Sequence, residues 1–405
     1  MREFVLPGIP NIHSHAFQRA MAGLAERQTN PTDSFWTWRE LMYRYAGRIT
    51  PESQYAIAAQ LYVEMLEAGY TRVCEFHYLH HRPDGRPYAD PAAMSQAIIA
   101  AARDTGIRLT LLPVLYMAGG FDGRALSDRQ RRFGHTVEAF LSLLARLRRE
   151  ENAGLRIGIA LHSLRAVPET ALRDVLAAVR DERFPIHIHI AEQLGEVADS
   201  LALRGVRPVE WLLANAPVDE RWTLVHATHL TDAETRGIAA SKAVVALCPS
   251  TEANLGDGLF PLRDFLELGG RIGIGSDSNV SVSPVEELRW LEYGQRLITR
   301  QRNIAVSAQH ASVGENLYRH IVDGGLRACG GGDADDDGLI LDATAPCLAG
   351  ATPDDLYDRF VFAGNRGLVR EVHVAGQPRV VDGRHHQAEA IAARYRAVIR
   401  ALIED

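Results

Sequence analysis

Eight runs of apolar residues rich in β-branched types recur along the chain, near 8–13, 71–77, 107–115, 155–162, 184–190, 222–227, 243–248 and 271–277. Short continuous runs of this kind read as strands buried on both faces. Between them, apolar residues fall at helical spacing over 52–68, 91–104, 135–150, 168–181 and 285–299. Three of these helices carry start signals: Thr50-Pro51-Glu52, Asp90-Pro91 and Ser283-Pro284 each set a capping residue before a proline suited to the first turn. Strands alternating with helices imply a parallel sheet, and eight such units predict an α/β fold closed into a (β/α)8 TIM-like barrel. An open doubly wound sheet is disfavoured, because no Gly-rich dinucleotide loop follows the first strand.

After about residue 325 the pattern changes. Gly330-Gly331-Gly332 and the acidic run Asp333 to Asp337 interrupt it, and the run is expected to be a solvated loop. Two strand-like stretches follow, Arg359–Ala363 and Glu371–Val381, the second split by a turn at Gly376-Gln377-Pro378. A last helix is expected over 386–403. The predicted organisation is a barrel over 1–329, a small β domain over 330–385 and a C-terminal helix over 386–405.

Polar residues sharpen the barrel. His15, His77, His162, His189, His226 and Asp277 all fall at or just past the C-terminal ends of predicted strands. In a closed barrel those ends share one rim, so residues distant in sequence can converge on one cavity. His13 and His15, two apart on a strand, face the same side. With His189 and Asp277 they make a nitrogen and oxygen ligand set that suits zinc. His187 shares a strand face with His189 and is expected to be packed, because His189 lies nearer the rim and three residues before Glu192. His226 follows its apolar run directly, whereas His229 falls in the loop beyond. Glu192 beside a metal-activated water suits a general acid/base, His226 a hydrogen bond to the attacking oxygen, and Asp277 a proton acceptor. Segment 155–165 contains no lysine, so one divalent ion is expected rather than a bridged pair.

Composition narrows the partners. The 405 residues carry a formal charge of −7 with no long basic run, which argues against nucleic acid. Lys242 is the sole lysine, so any basic site is built from arginine. Cys74, Cys248, Cys329 and Cys347 are widely spaced and read as reduced thiols. No apolar stretch is long enough to span a membrane, and the N-terminus does not read as a signal peptide. A cytoplasmic hydrolase is expected.

Taken together, the four strand-end motifs resemble the amidohydrolase superfamily, in its single-metal deaminase-like branch. Longer stretches narrow the likeness: Asn11-Ile-His13-Ser-His15-Ala-Phe-Gln18, Ser34-Phe-Trp-Thr-Trp-Arg39-Glu, Glu75-Phe-His-Tyr78-Leu-His, Leu161-His162-Ser-Leu-Arg165, His187-Ile-His189-Ile-Ala-Glu192-Gln and Gly275-Ser-Asp277-Ser-Asn. They are similar to formimidoylglutamate deiminases, over most of the chain from residue 5 onward. That resemblance implies hydrolysis of N-formimino-L-glutamate to N-formyl-L-glutamate and ammonia in histidine degradation, and a homodimer is expected. It also implies that Arg39 and Arg165 clamp the two carboxylates, with Gln18, Tyr78 and His162 as further substrate-binding groups. Members of the superfamily have several strands before the first barrel strand, whereas here the barrel begins within about ten residues of Met1. The β-sandwich appendage is therefore expected to be N-terminally reduced, leaving the strands near 359–381 with an unpaired edge.

Two rivals share these motifs. A deaminase of a purine, pyrimidine or triazine ring would use the same metal set with stacking residues and no arginine pair. A noncatalytic binding protein of the same fold should have lost ligands, and none is missing.

Overall fold

A computed structural model describes residues 3–27, 35–331, 336–365 and 367–404. Its main sheet contains β2 (Ile9–Ser14), β3 (Tyr70–His77), β4 (Arg108–Leu115), β5 (Leu155–Ile157), β6 (Ile159–Ser163), β7 (Ile186–Ile190), β8 (Trp222–His226), β9 (Val244–Leu247) and β10 (Arg271–Ile274). All pairings are parallel, and β3 bonds to both β2 and β4, which closes the ring. Strands β5 and β6 successively pair with β4, so nine segments fill eight positions. This is the (β/α)8 barrel the apolar runs predict. Every residue of β2, β3, β7, β8 and β9 is buried, which explains why these strands read as unbroken apolar runs rather than alternating ones.

Thr50 and Ser283 cap the helices Pro51–Ala68 and Pro284–Thr299, each with a proline in the first turn. Asp90-Pro91 acts differently. Asp90 accepts from the Ala92 amide at 2.8 Å in a turn, and the helix starts only at Ala93.

A second sheet of five antiparallel strands runs in the order β1 (Val5–Pro7), β11 (Gly338–Leu341), β12 (Val369–Val374), β13 (Gln377–Val381) and β14 (Arg384–His385). Here three expectations need correction. Arg359–Ala363 is not a strand but the end of the helix Leu356–Phe362, where Leu356, Phe360 and Val361 share a buried face. Strands β12 and β13 are not left with an unpaired edge, because β11 and β14 flank them, and β11 itself pairs with β1 from the other end of the chain. The hairpin turn lies at Ala375-Gly376, both left-handed at φ 52 and 68, as a tight two-residue loop requires.

The acidic run is also not simply solvated. Residues 333–335 lie outside the described residues, but Asp337 is buried and bonds Arg72 at 2.9 Å and Arg108 at 3.1 Å. Among the described residues no helix is long and apolar enough to cross a membrane.

Candidate metal centre and active site

Of the rim residues, His15, His162, His189, His226 and Asp277 come together as the strand ends suggest, whereas His77 stays outside the recess with its ring 5.3 Å from that of His80. His13 Nε2 lies 3.0 Å from His189 Nε2 and 3.5 Å from Asp277 Oδ1, while His15 Nε2 is 3.3 Å from the same oxygen. His226 Nε2 is 3.8 Å from both Asp277 Oδ2 and Glu192 Oε1. The local backbone is built for this. A Cβ on Gly275 would stand 2.6 Å from His13 Cβ, so only glycine lets β10 approach β2 behind the first histidine. Asn279 then ties the two strands, donating to the carbonyls of His15 and Asp277 at 3.1 and 3.0 Å. Ala191, His226 and Asp277 all adopt left-handed φ, at 51, 68 and 48. Such conformations are costly for residues with a Cβ and cluster at functional sites.

Outer contacts set the ring tautomers. His15 Nδ1 donates to the Phe76 carbonyl at 2.9 Å and His189 Nδ1 to the His162 carbonyl at 3.0 Å, leaving each Nε2 lone pair facing inward. Burial pushes His13 down to about 3, with His15 adding to the effect and Asp277 opposing it. His189 is pushed well down by burial and by the neighbouring histidines. Neutral imidazoles with facing lone pairs, grouped around a carboxylate, are arranged for a cation rather than for one another. His13, His15 and Asp277 offer ligand atoms within 4.8 Å of each other, as do His13, His189 and His226. The donor chemistry fits a metal, and the set is capable of coordinating one. Cys248 comes equally near His226 and Asp277, but burial pushes its thiol well up, so it stays protonated.

Glu192 is pushed up to about 7, chiefly by burial, with the charge of Asp277 adding and His226 opposing. Burial alone would hold His226 down. Glu192, Glu252 and Asp277 outweigh it and carry the ring up to about 10. Glu252 is the neighbour sequence reasoning missed. Its Oε1 lies 3.2 Å from His226 Nδ1 and also accepts from the Cys248 amide at 2.9 Å.

All the remaining candidates line one recess together with His15, His189, Glu192, His226 and Asp277: Gln18, Arg39, Tyr78, His162 and Arg165. Gln18 Nε2 donates to Tyr78 Oη at 2.8 Å, and its Oε1 is buried without a partner among the described residues. Arg39 Nε donates to Tyr43 Oη at 2.7 Å. His162 is held well down by burial, and Arg165 and Arg39 stand close enough to add to it. His187 turns away from the rim and bonds the Ala328 carbonyl at 3.0 Å. His229 sits in the loop, with its amide on the Ala191 carbonyl.

Comparison with known proteins agrees with this geometry. The profile of the amidohydrolase family matches residues 4–312. Formimidoylglutamate deiminase of Pseudomonas aeruginosa is 55% identical over 409 residues, covering 99% of this chain and 90% of that protein. Among solved structures, an amidohydrolase from Brucella melitensis superposes with a TM-score of 0.94 at 46% identity, covering 98% of this chain and 90% of the other. A zinc-bound adenosine deaminase from Xanthomonas campestris superposes with a TM-score of 0.82 at 21% identity, covering 100% and 87%, and so shares the fold.

Proposed function

The chain belongs to the amidohydrolase family, and on that premise we propose that it hydrolyses N-formimino-L-glutamate to N-formyl-L-glutamate and ammonia in histidine degradation. The 55% identical relative carries the name of that activity. In the chain itself one observation carries the reading: the recess that holds the histidine–aspartate cluster also holds two guanidiniums, Arg39 and Arg165. A small dicarboxylate amidine needs both a hydrolytic centre and cations for its carboxylates.

His13, His15, His189 and Asp277 would hold one divalent ion, with zinc preferred for three nitrogens and an oxygen. Zinc, when bound, supplies Lewis acidity that makes a water nucleophilic near neutral pH. Arg39 and Arg165 bind the carboxylates, Tyr78 and His162 flank the bound chain, and Gln18 Oε1 is free to accept an amidine N–H. Glu192 takes a proton from water and returns it to the imino nitrogen. His226 donates from Nε2 to the attacking oxygen, with Glu252 holding its other nitrogen. Asp277 receives the remaining proton and passes it to the same nitrogen as it leaves. A C–O bond forms, the bond from carbon to the terminal nitrogen breaks, and both water protons leave on ammonia.

A ring deaminase is the second reading, because Tyr43, Tyr78, Tyr116 and Phe133 line the same recess. Two guanidiniums count against it, since a neutral ring gives them no carboxylate. A cytoplasmic homodimer that binds no nucleic acid completes the proposal. The exposed side chains of Trp290, Tyr293 and Leu297 on one helix support self-association, which light scattering during gel filtration would measure. Zinc-loaded protein should release ammonia and N-formylglutamate from formiminoglutamate and leave guanine and cytosine untouched. Formamide and glutamate as products, or turnover of either base in its place, would overturn the assignment.

A further inference from the structure

Tyr43, Tyr78 and Tyr116 all line the recess, and each phenol oxygen already accepts a hydrogen bond. Arg39 Nε gives to Tyr43 at 2.7 Å, Gln18 Nε2 to Tyr78 at 2.8 Å and Gln130 Nε2 to Tyr116 at 2.9 Å. Gln130 is oriented in turn, because its Oε1 accepts from the amide and hydroxyl of Ser127 at 3.0 and 2.9 Å. Phe133 stands among the three rings, with centroids 6.1, 5.1 and 5.8 Å away, and fixes their spacing. A phenol has one hydrogen to give. Among the described residues none of the three hydroxyls has an acceptor for it, and the Arg165 guanidinium has no hydrogen-bond or ion-pair partner. The tyrosine side chains are buried, and burial pushes Tyr43 and Tyr78 up, so both remain protonated donors.

Buried donors without acceptors are expensive. Three of them, beside the partly buried guanidinium of Arg165, describe a ligand rich in acceptor oxygens. An N–H committed to a phenol oxygen also polarises that phenol's O–H, which strengthens its bond to an anion. We infer that Tyr43 and Tyr116 are substrate-binding residues that donate their hydroxyl hydrogens to carboxylate oxygens beside Arg39 and Arg165. This rests on the reaction proposed above and adds to it a reason for selecting dianions.

Tyr43→Phe and Tyr116→Phe remove only the hydroxyl. In the zinc-loaded protein each should raise KM for formiminoglutamate about tenfold or more, the effect of a lost hydrogen bond to charge, with kcat changed less than threefold. Calorimetric titration with glutarate, a dicarboxylate that lacks the amidine, should show the same weakening. KM and glutarate affinity within twofold of the parent in both variants would overturn the inference. Should the parent release no ammonia, the proposed reaction fails, and glutarate alone judges the tyrosines: weaker binding in the variants supports them, equal or absent binding removes them. If Tyr116→Phe does not fold, Gln130→Leu, which withdraws the donor that aims Tyr116, should raise KM severalfold, and an unchanged KM again counts against the role.

Discussion

Each mouth of the barrel holds a buried aspartate, Asp337 where β2, β3 and β4 begin and Asp277 where β10 ends, and the two are treated oppositely. Asp337 meets permanent cations. Arg72 and Arg108 reach its two oxygens, and the Ala375 amide donates to Oδ1 at 2.9 Å. Its own carbonyl accepts from Gly8, so one residue joins the first barrel strand to the small sheet. Asp277 meets imidazoles instead, and burial holds two of the three neutral. The third, His226, is cationic but shared with Glu192 and Glu252. One end is electrostatically finished by the chain itself. At the other, Asp277, Glu192 and Glu252 share one cationic ring, on backbone turned left-handed at Asp277 and His226. A barrel divides its labour in this way, with stability at the N-terminal face and chemistry at the C-terminal face.

The sharpest way to break this contrast is to remove an inward-facing imidazole. His189→Ala should empty the metal centre and reduce turnover to background, well beyond the roughly 10- to 100-fold loss seen when an outer-shell partner is removed. Zinc content by elemental analysis, measured beside ammonia release, checks it. A variant that kept stoichiometric zinc and activity would mean the cluster is not the metal site. The next effect separates proton transfer from binding. Glu192→Gln should lower kcat by about 10²–10⁴ while zinc content stays at the parental value. Unchanged turnover would remove Glu192 from the chemistry.

The third effect belongs to the opposite mouth. Asp337→Asn keeps the side-chain shape but leaves Arg72 and Arg108 facing a neutral amide. Arg72 is 8% exposed and Arg108 21%, so only part of the charge is beyond the reach of water. Breaking a buried pair by removing one partner costs about 3–5 kcal/mol, and the exposure of Arg108 places the expected loss near the lower figure. Denaturant midpoints would fall accordingly, with zinc content and kcat per folded molecule unchanged. A fall in kcat without a fall in stability would erase the division between the two faces.

The same contrast explains what the sequence could and could not reveal. Strands buried on both sides must be apolar throughout, so eight lanes of the barrel were visible as runs. Their C-terminal ends picked out His13, His15, His189, His226 and Asp277, although the same rule also marked His77, whose ring sits by His80 away from the recess. Glu252 escaped notice because a carboxylate in the first turn of the helix Pro249–Leu255 looks like one that merely answers the helix dipole. Tyr43 and Tyr116 escaped because a phenol among apolar neighbours reads as core until its hydroxyl is traced. Asp337 was hidden in an acidic run whose composition speaks for solvent. Leu356–Phe362 was misread because its Arg-Phe-Val-Phe end has strand-forming types, while the buried face that decides the matter spans only Leu356, Phe360 and Val361. Local composition fails where a distant partner decides, and Arg72, Arg108 and His226 are such partners.

The smallest effect tests whether the unfinished end of the barrel also selects its substrate. Arg165 is only partly buried, lines the recess and weighs on Glu192, Glu196 and His162 without bonding to any of them. A guanidinium held that way leaves its N–H groups open to a substrate carboxylate. Arg165→Met preserves much of the length and the apolar stem, so the fold should be indifferent to it. A charge-assisted bond to a carboxylate should vanish, raising KM about 10- to 100-fold. The loss should be largest for formiminoglutamate and absent for a formimino compound without a carboxylate to reach the arginine. Equal losses for both would show that Arg165 acts on the metal-side cluster rather than on the substrate. The two guanidiniums would then belong to the charge balance around Glu192, and the preference for a dianion would have to come from Arg39 and the tyrosines alone.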